Sequence, residues 1–374
     1  MSLILSVNFV IFQRFQSVNK RARMNRTPRR SYFKFYVILT SFFLGCAQKT
    51  VIDNNSLFMT PSAKGHRIFI EQIDQAQTSI QLKMFHLSDQ EVVGALINAH
   101  LRGIKIQILL DRSGLNSPRF KNYAEQLLRN HIQVRPGSYG FSITHEKSMI
   151  IDQHQALITT INLTNQFEST RDYGLFVTDP NVIEEMQKVF VTDWQNSQNN
   201  ENYTPELKQP NLLWSPVNAR EKLVALIDSA QFSLQLEVEN LGDEEIIQAL
   251  EKAAARSVEV KVITPQCDKN KNPFYNYPAL SRLQRAKVET RVMPFPASAD
   301  KPYMHAKMIL ADHQKFYLGS VNFSFNSLSK ARELGIILTH SKNARELDMA
   351  FETDWSVSEV SFQPGPGFCP AYKE

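Results

Sequence analysis

Cysteine is scarce: three residues in 374, too few for a disulfide framework to stand in for a hydrophobic core. Glycine and proline are scarce too, 13 and 17, which excludes collagen-like and low-complexity chains. No run of eighteen uninterrupted apolar residues occurs, so a multi-pass transporter is excluded. Acidic residues are missing from residues 1–45, which hold eight basic ones: Arg14, Lys20, Arg21, Arg23, Arg26, Arg29, Arg30 and Lys34. The 42 basic residues of the chain less those eight leave 34 against 37 acidic groups, a net charge of −3 for residues 46–374. The overall +5 therefore belongs to the N-terminus and favours a targeting role there over a nucleic-acid footprint. What remains is ordinary globular composition, 43% apolar and 21% charged, with length for two or three domains.

The basic N-terminus reads as an export signal. Arg26 to Lys34 is a positive run, and Phe35 to Gly45 is an apolar run of eleven residues, a signal-peptide length too short to span a bilayer. It ends at Leu44-Gly45-Cys46, which resembles the lipobox of bacterial lipoproteins, with Phe43 where Leu is more usual. The resemblance implies lipidation of Cys46 and an exported, membrane-anchored lipoprotein facing the periplasm or the cell exterior. Residues 24–46 make a conventional signal alone, so Met24 is an alternative start; an uncleaved anchor with an incidental Cys46 is the alternative reading. In an oxidising compartment Cys267 and Cys369 could pair, and the sequence leaves that open.

The rest of the chain is an internal repeat. Ile73–Leu82 (IDQAQTSIQL) parallels Ile227–Leu236 (IDSAQFSLQL), and Asp193-Trp194 parallels Asp354-Trp355. Each copy is about 140 residues, a domain's worth, so this is a duplicated domain and not a solenoid. Within a copy, strand and helix patterns alternate. Ser79–Phe85 reads as a strand ending at a capping box, Ser88-Asp89-Gln90-Glu91; a helix follows, then the buried strand Ile104–Leu110. The second copy gives Leu234–Val238, a helix from Asp243 to Ala255, and Val258–Thr264. The expected organisation is a signal at 1–45, a tether at 46–60, repeat 1 at 61–196, a polar linker at 197–211, repeat 2 at 212–358 and a tail at 359–374. This βαβ grammar predicts an α/β fold with helices on the faces of each sheet.

Chemistry-bearing residues sit at matched positions. Repeat 1 carries His145-x-Lys147-x4-Asp152 and repeat 2 carries His305-x-Lys307-x4-Asp312. His and Lys two apart on a strand point to one face. The correspondence continues with Asn162 and Asn322, and with Arg171-Asp172-Tyr173-Gly174 and Arg332-Glu333-Leu334-Gly335. Repeat 2 has Gly319-Ser320-Val321-Asn322 where repeat 1 has Thr159-Thr160-Ile161-Asn162, which puts a close backbone approach at Thr159 in doubt.

These motifs resemble the phospholipase D superfamily over roughly residues 60–358. The resemblance implies two tandem repeats, each a mostly β-sheet core flanked by helices, packed with pseudo-twofold symmetry around one active site. Both motifs in one chain imply a monomer. One His would be the nucleophile on phosphorus and the other the acid for the leaving oxygen, with His145 the nucleophile by analogy. Lys147, Lys307, Asn162 and Asn322 would grip the phosphate, with hydroxyls from Thr160 and Ser320. Asp172 and Glu333 would each hold the ring of their own repeat's His. Asp152 and Asp312 read as supporting residues behind the site.

The chemistry agrees with those roles. A phosphodiester is an anion, and compact lysine charge with amide donors neutralises its non-bridging oxygens. A neutral imidazole can attack, and a protonated one can deliver a proton to an alkoxide; His reaches both states near neutral pH. No cofactor is called for, and no metal: no H-E-x-x-H or paired-Cys spacing occurs, and two lysines would repel a cation. The expected partners are phospholipid and a membrane surface, the anchor and the aromatic stretch Asn272–Pro278 favouring them. A nuclease of the same superfamily, a cardiolipin synthase-type phosphatidyltransferase and a non-catalytic binding lipoprotein are the alternatives. Cardiolipin synthases of this superfamily usually carry N-terminal membrane helices, so the reading leans to hydrolysis.

Overall fold

A computed structural model describes residues 55–165, 169–267, 275–362 and Cys369. The expected signal, Cys46 and residues 272–274 of the aromatic stretch lie outside the described residues. The first half runs β1 (Leu57–Thr60), α1 (Arg67–Gln75), β2 (Ser79–Met84), α2 (Gln90–Leu101), β3 (Lys105–Leu110), α3 (Arg112–Asn116), α4 (Pro118–Arg129), β4 (Gln133–Pro136), β5 (Ser148–Ile151), β6 (Gln155–Thr159), β7 (Thr170–Val177) and α5 (Pro180–Asn199). The second runs β8 (Leu212–Ser215), α6 (Ala219–Ser229), β9 (Ser233–Val238), α7 (Glu244–Ala255), β10 (Glu259–Pro265), α8 (Tyr277–Arg285), β11 (Glu289–Met293), β12 (Tyr303–Met304), β13 (Lys307–Ala311), β14 (Lys315–Gly319), α9 (Phe325–Ser329), β15 (Glu333–Thr339), α10 (Ser341–Val357) and β16 (Glu359–Val360).

Each half builds one mixed sheet, and the strand orders correspond: β1-β7-β6-β5-β2-β3-β4 and β8-β15-β14-β13-β9-β10-β11, the latter extended by β16. The βαβ segments give the parallel strands β2-β3-β4 and β9-β10-β11; the hairpins give the antiparallel remainder. Helices α2 and α7 start where an Asp side chain accepts the amide three residues on, Asp89 from Val92 and Asp243 from Ile246.

The alternation of side chains sorts these strands between cores. On β5, Met149 and Ile151 enter a core under the first half's helices, while Ile150 faces the other way. On β13, Ile309 and Ala311 join the second half's own core, while Met308 and Leu310 face away from it. The outward sets, with Leu175, Phe316, Ile336, Phe190 and Phe351, form a third core shared by both halves. These central strands are apolar on both faces because both faces are covered, as in the expected tandem-repeat α/β fold.

Backbone and charge cross between the halves. β12 of the second half pairs in parallel with β7 of the first, Met304 opposite Arg171, and a bridge pairs Thr144 with Arg332. Arg171 of the first half makes a bidentate pair with Asp354 of the second, at 2.6 and 2.8 Å. Reciprocally, Arg332 donates to Asp193 at 2.9 Å. The Asp of each Asp-Trp pair therefore serves the opposite half, while Trp194 and Trp355 lie under Arg135 and Arg291 of their own halves.

The two ion-pair clusters differ in composition and agree in balance. Asp193 also accepts from Lys83 at 2.6 Å, and Lys83 reaches Glu146 at 2.9 Å, giving two cations and two carboxylates. At the matching positions the second half has Glu237 for Lys83 and Ala306 for Glu146. Burial, and then the Asp354 charge, push Glu237 far above the usual carboxylate range, so it stays protonated beside the Arg171–Asp354 pair. Loss of a positive charge at one buried position is matched by loss of a negative charge at another.

Three segments differ from their sequence expectation. Leu57–Thr60, expected in a tether, is a strand paired with β7. Helix α5 continues past residue 196 to Asn199. The expected tail begins with β16, paired to β11, and Cys369 is disulfide-bonded to Cys267 across 102 residues. Short edge strands carry little hydrophobic periodicity, so their partners alone define them.

Breaking a buried pair on one side strands a charge. Asp354→Ala is expected to lower stability by about 3–5 kcal/mol in urea denaturation, because Arg171 is left buried without its carboxylate. The double change Arg171→Met with Asp354→Leu should recover most of that loss; no recovery would place the cost elsewhere.

Candidate active site

The catalytic motifs lie where β5 and β13 begin, at the seam between the halves. In a parallel pairing the residues that follow partnered positions remain neighbours. Thr144 is opposite Arg332, so His145 and Glu333 adjoin; Met304 is opposite Arg171, so His305 and Asp172 adjoin. His145 Nδ1 lies 2.7 Å from Glu333 Oε2, and His305 Nδ1 lies 2.6 Å from Asp172 Oδ1. The carboxylate on each ring thus comes from the opposite repeat. The expectation that each acid holds its own repeat's His is corrected: the inter-half register sets the pairing.

Each lysine turns back toward its own motif. Lys147 Nζ donates to the His145 carbonyl at 2.7 Å, and Lys307 Nζ donates to that of His305. Both are buried, as are both histidines. His145, His305 and Asn162 line a single cavity of about 320 Å³. The Oδ1 of Asn162 is buried without a hydrogen-bond partner among the described residues, and that of Asn322 accepts from the Asn240 amide at 3.2 Å. A larger open cavity of about 910 Å³, against the turn from Pro61 to Arg67, contains neither motif.

The remaining expected residues act behind this cavity. Thr160 does not line it; its hydroxyl donates to Asp172 at 2.5 Å, steadying the carboxylate that holds His305. Ser320 exchanges hydrogen bonds with both backbone groups of Leu334, next to Glu333, and does not line the cavity either. A Cβ at Gly319 would fall 2.4 Å from the Cα of Gly335, so the second half requires glycine there. Thr159, its counterpart, is accommodated in β6 with its hydroxyl donating to the Tyr173 carbonyl at 2.8 Å. Asp152 and Asp312 stand at the far ends of β5 and β13, in turns with positive φ of 52° and 51°. Asp152 accepts the amides of Gln77, Thr78 and Ser79; Asp312 accepts those of Gln231, Phe232 and Ser233. Each pins the start of the neighbouring strand.

Sequence reasoning missed Glu239. It follows β9 where Phe85 follows β2, and the repeat offset that aligns Ser79 with Ser233 aligns these two. A charged residue straight after a buried strand was the available signal. Glu239 Oε2 accepts from Lys307 Nζ at 2.9 Å and lies 3.5 Å from His305 Nε2, while Tyr303 donates to Oε1 at 3.1 Å. Asn276, from the end of the aromatic stretch, holds the Glu239 backbone carbonyl at 2.9 Å. On the other side the Phe85 ring lies 4.7 Å from the His145 ring and 5.1 Å from Lys147 Nζ, and stacks on His86, which stacks on Phe120. The pseudo-twofold site is therefore aromatic around one motif and acidic around the other.

That asymmetry reaches the titrations. Burial, then the charges of Lys147 and Lys307, hold His145 well below the usual histidine range, so its ring is neutral. Burial raises Asp172, but the His305 ring, Lys307 and the Thr160 hydroxyl overcome it and leave Asp172 below the usual carboxylate range. Burial lifts Glu333 to about 7, and burial with Lys307 nearby lowers Lys147 to about 7. His145 thus faces a carboxyl that is half protonated at neutral pH, and His305 faces an ionised one.

Paired histidines, paired lysines and crossed carboxylates gathered at the seam of a duplicated α/β chain define the two-motif class of the phospholipase D superfamily. Residues 69–194 and 223–355, more than half of the chain, match the family described as "Cardiolipin synthase, PLD-like domain", and the chain belongs to it. It is 33% identical over 142 residues to a phospholipase D of Rickettsia prowazekii, covering 36% of this chain and 67% of that one. It is 22% identical over 361 residues to a cardiolipin synthase of Geobacillus thermodenitrificans, covering 84% and 70%. Among solved structures, the phosphatidylserine synthase of Haemophilus influenzae shares the fold, with a TM-score of 0.64 at 12% identity over 82% of this chain and 87% of that one.

The two groups near 7 tilt the stability of the free protein in opposite directions on the two sides of pH 7. Between about pH 4.5 and 7 the unfolded chain has ionised Glu333 and the folded one has not, so stability falls as pH rises. Between about 7 and 10.5 the unfolded chain holds a proton on Lys147 that the folded one has released, so stability rises with pH. Lys147→Met should therefore be more stable than wild type at pH 7, by an amount on the order of a few kcal/mol, and should lack the rise above pH 7. Urea titrations from pH 6 to 10 check this, and an unchanged rise in the variant would contradict it.

Proposed function

We propose that the protein is a phospholipase D-type phosphodiesterase that acts on phospholipid through a covalent phosphohistidine. The observation that carries this is the pair of histidines on one cavity, one neutral and flanked by lysines, the other with a carboxylate at each ring nitrogen. His145 attacks phosphorus through Nε2, its Nδ1 proton held by Glu333. The P–N bond forms as the P–O bond to the leaving group breaks, and the leaving oxygen takes the Nε2 proton of His305. His305, now neutral, removes a proton from water as that water attacks phosphorus; the P–N bond breaks and His145 is restored. Lys147, Lys307 and Asn162 neutralise and orient the non-bridging oxygens, with Asn322 beside them. Thr160 and Ser320 support the two carboxylates rather than the phosphate.

Phospholipid as substrate is supported by relatives named phospholipase D and cardiolipin synthase. An alcohol in place of water at the second step would give phosphatidyl transfer by the same machinery. Export as a lipoprotein anchored through Cys46 would hold the enzyme at its substrate. The Cys267–Cys369 bond supports an oxidising compartment. Among the described residues no helix is long and apolar enough to cross a membrane.

The test is incubation of residues 47–374 with phosphatidylcholine, phosphatidylglycerol and plasmid DNA, with EDTA and without. Lipid turnover that survives EDTA is the expected result; cleavage of DNA alone would redirect the substrate, and rescue only by a divalent metal would overturn the mechanism.

Substitution separates the histidines. Either His→Ala change should reduce lipid turnover by several orders of magnitude. With a p-nitrophenyl phosphodiester, whose leaving group needs little protonation, His305→Ala should still form some covalent intermediate and His145→Ala none. Phosphohistidine mapped to residue 305 in the wild type would reverse the assignment.

A further inference from the structure

The position that breaks the symmetry of the site points to how it tells substrate from product. Glu239 accepts from Lys307 Nζ at 2.9 Å, lies 3.5 Å from His305 Nε2, and is fixed by the Tyr303 hydroxyl at 3.1 Å and by Asn276 at its own carbonyl. Its Oε2 thus holds the two groups that a bound phosphoryl oxygen and a leaving oxygen would hold. We propose that Glu239 is a specificity-determining residue that occupies the anion site of the free enzyme and selects singly charged phosphodiesters over doubly charged phosphomonoesters. The inference rests on the phosphodiesterase reading above and deepens it.

The physical argument is one of charge count. A phosphodiester carries one negative charge, whereas the monoester left by hydrolysis carries between one and a half and two at neutral pH, its second pKa being about 6. Both can replace Glu239 Oε2 on Lys307, but neither removes the carboxylate, which Tyr303 and Asn276 keep beside the site. The repulsion from that fixed charge scales with the charge on the ligand. At about 4 Å, one further unit charge corresponds to roughly tenfold or more in binding at the effective dielectric of a partly buried site. Phe85, at the matching position of the first half, brings an aromatic face to Lys147 and no charge, so the discrimination is confined to the leaving-group side. The site therefore tolerates its substrate and expels its product, and the anion that would otherwise stay longest on two buried lysines is the one most strongly repelled.

Direct binding tests this without turnover. Inorganic phosphate at pH 7.5, largely a dianion, and dimethyl phosphate, a monoanion, are titrated into the protein with its disulfide intact and followed by calorimetry. Glu239→Gln should tighten inorganic phosphate by about tenfold or more and dimethyl phosphate by a clearly smaller factor. Tyr303→Phe, which frees the carboxylate to turn away while leaving its charge, should shift the ratio in the same direction by less. It also supplies a second variant should Glu239→Gln fold poorly. Equal tightening of both probes, or none, in a folded variant would overturn the inference while leaving the phosphodiesterase reading intact. Failure of both probes to bind both the wild type and the folded variants would count against the anion site itself, and so against both readings.

Discussion

At the seam of this chain, buried carboxylates of one half meet a cation or an imidazole of the other. Four such exchanges occur among the described residues: Asp172 with His305, Glu333 with His145, Asp354 with Arg171, and Asp193 with Arg332. A charged group taken out of water is tolerated only when paired, and here neither half contains its own partner set. The halves are therefore two parts of one charge-neutral unit, and the same register that satisfies the charges assembles the site. The parallel pairings of Thr144 with Arg332 and of Met304 with Arg171 are the mechanical form of that constraint.

Symmetry brings two identical motifs together, but the chemistry needs them in different states. The difference comes from a few unmatched positions. Glu239 against Phe85 puts an anion beside one histidine and a ring beside the other. Asp172 against Glu333 adds to it, because Asp172 is ionised and Glu333 titrates near 7. His145 is neutral among lysines, the condition for attack; His305 lies between two carboxylates, the condition for carrying a proton. The deeper pair Lys83 and Glu237 shows the same freedom under a stricter limit, since each departure from symmetry there is offset by a second that restores neutrality.

Much of this was legible in the residues. The repeat, its strand and helix alternation and both His-x-Lys pairs are periodic signals, and the central strands fall within a residue or two of their expected ends. The ring partners were not legible. Asp172 and Glu333 follow their own histidines at nearly equal spacing, so the sequence looks the same whether the acids stay or cross; only the contact between halves decides. Thr160 and Ser320 have the right chemistry for phosphate, but the backbone of Tyr173 and Leu334 turns their hydroxyls inward. Strands β1 and β16 are too short to carry a period. Glu239 was visible as the charged member of a mismatched pair, yet its meaning depends on Lys307 and Tyr303, which arrive from more than sixty residues away.

The most direct test of the crossed arrangement is side-chain nitrogen NMR of the two imidazoles in single-carboxylate variants. Asp172→Asn should move the ring resonances and titration of His305 and leave those of His145 nearly unchanged; Glu333→Gln should do the reverse. If Asp172→Asn instead perturbed His145, each half would be holding its own histidine, and the account of a single site built by exchange between halves would be wrong.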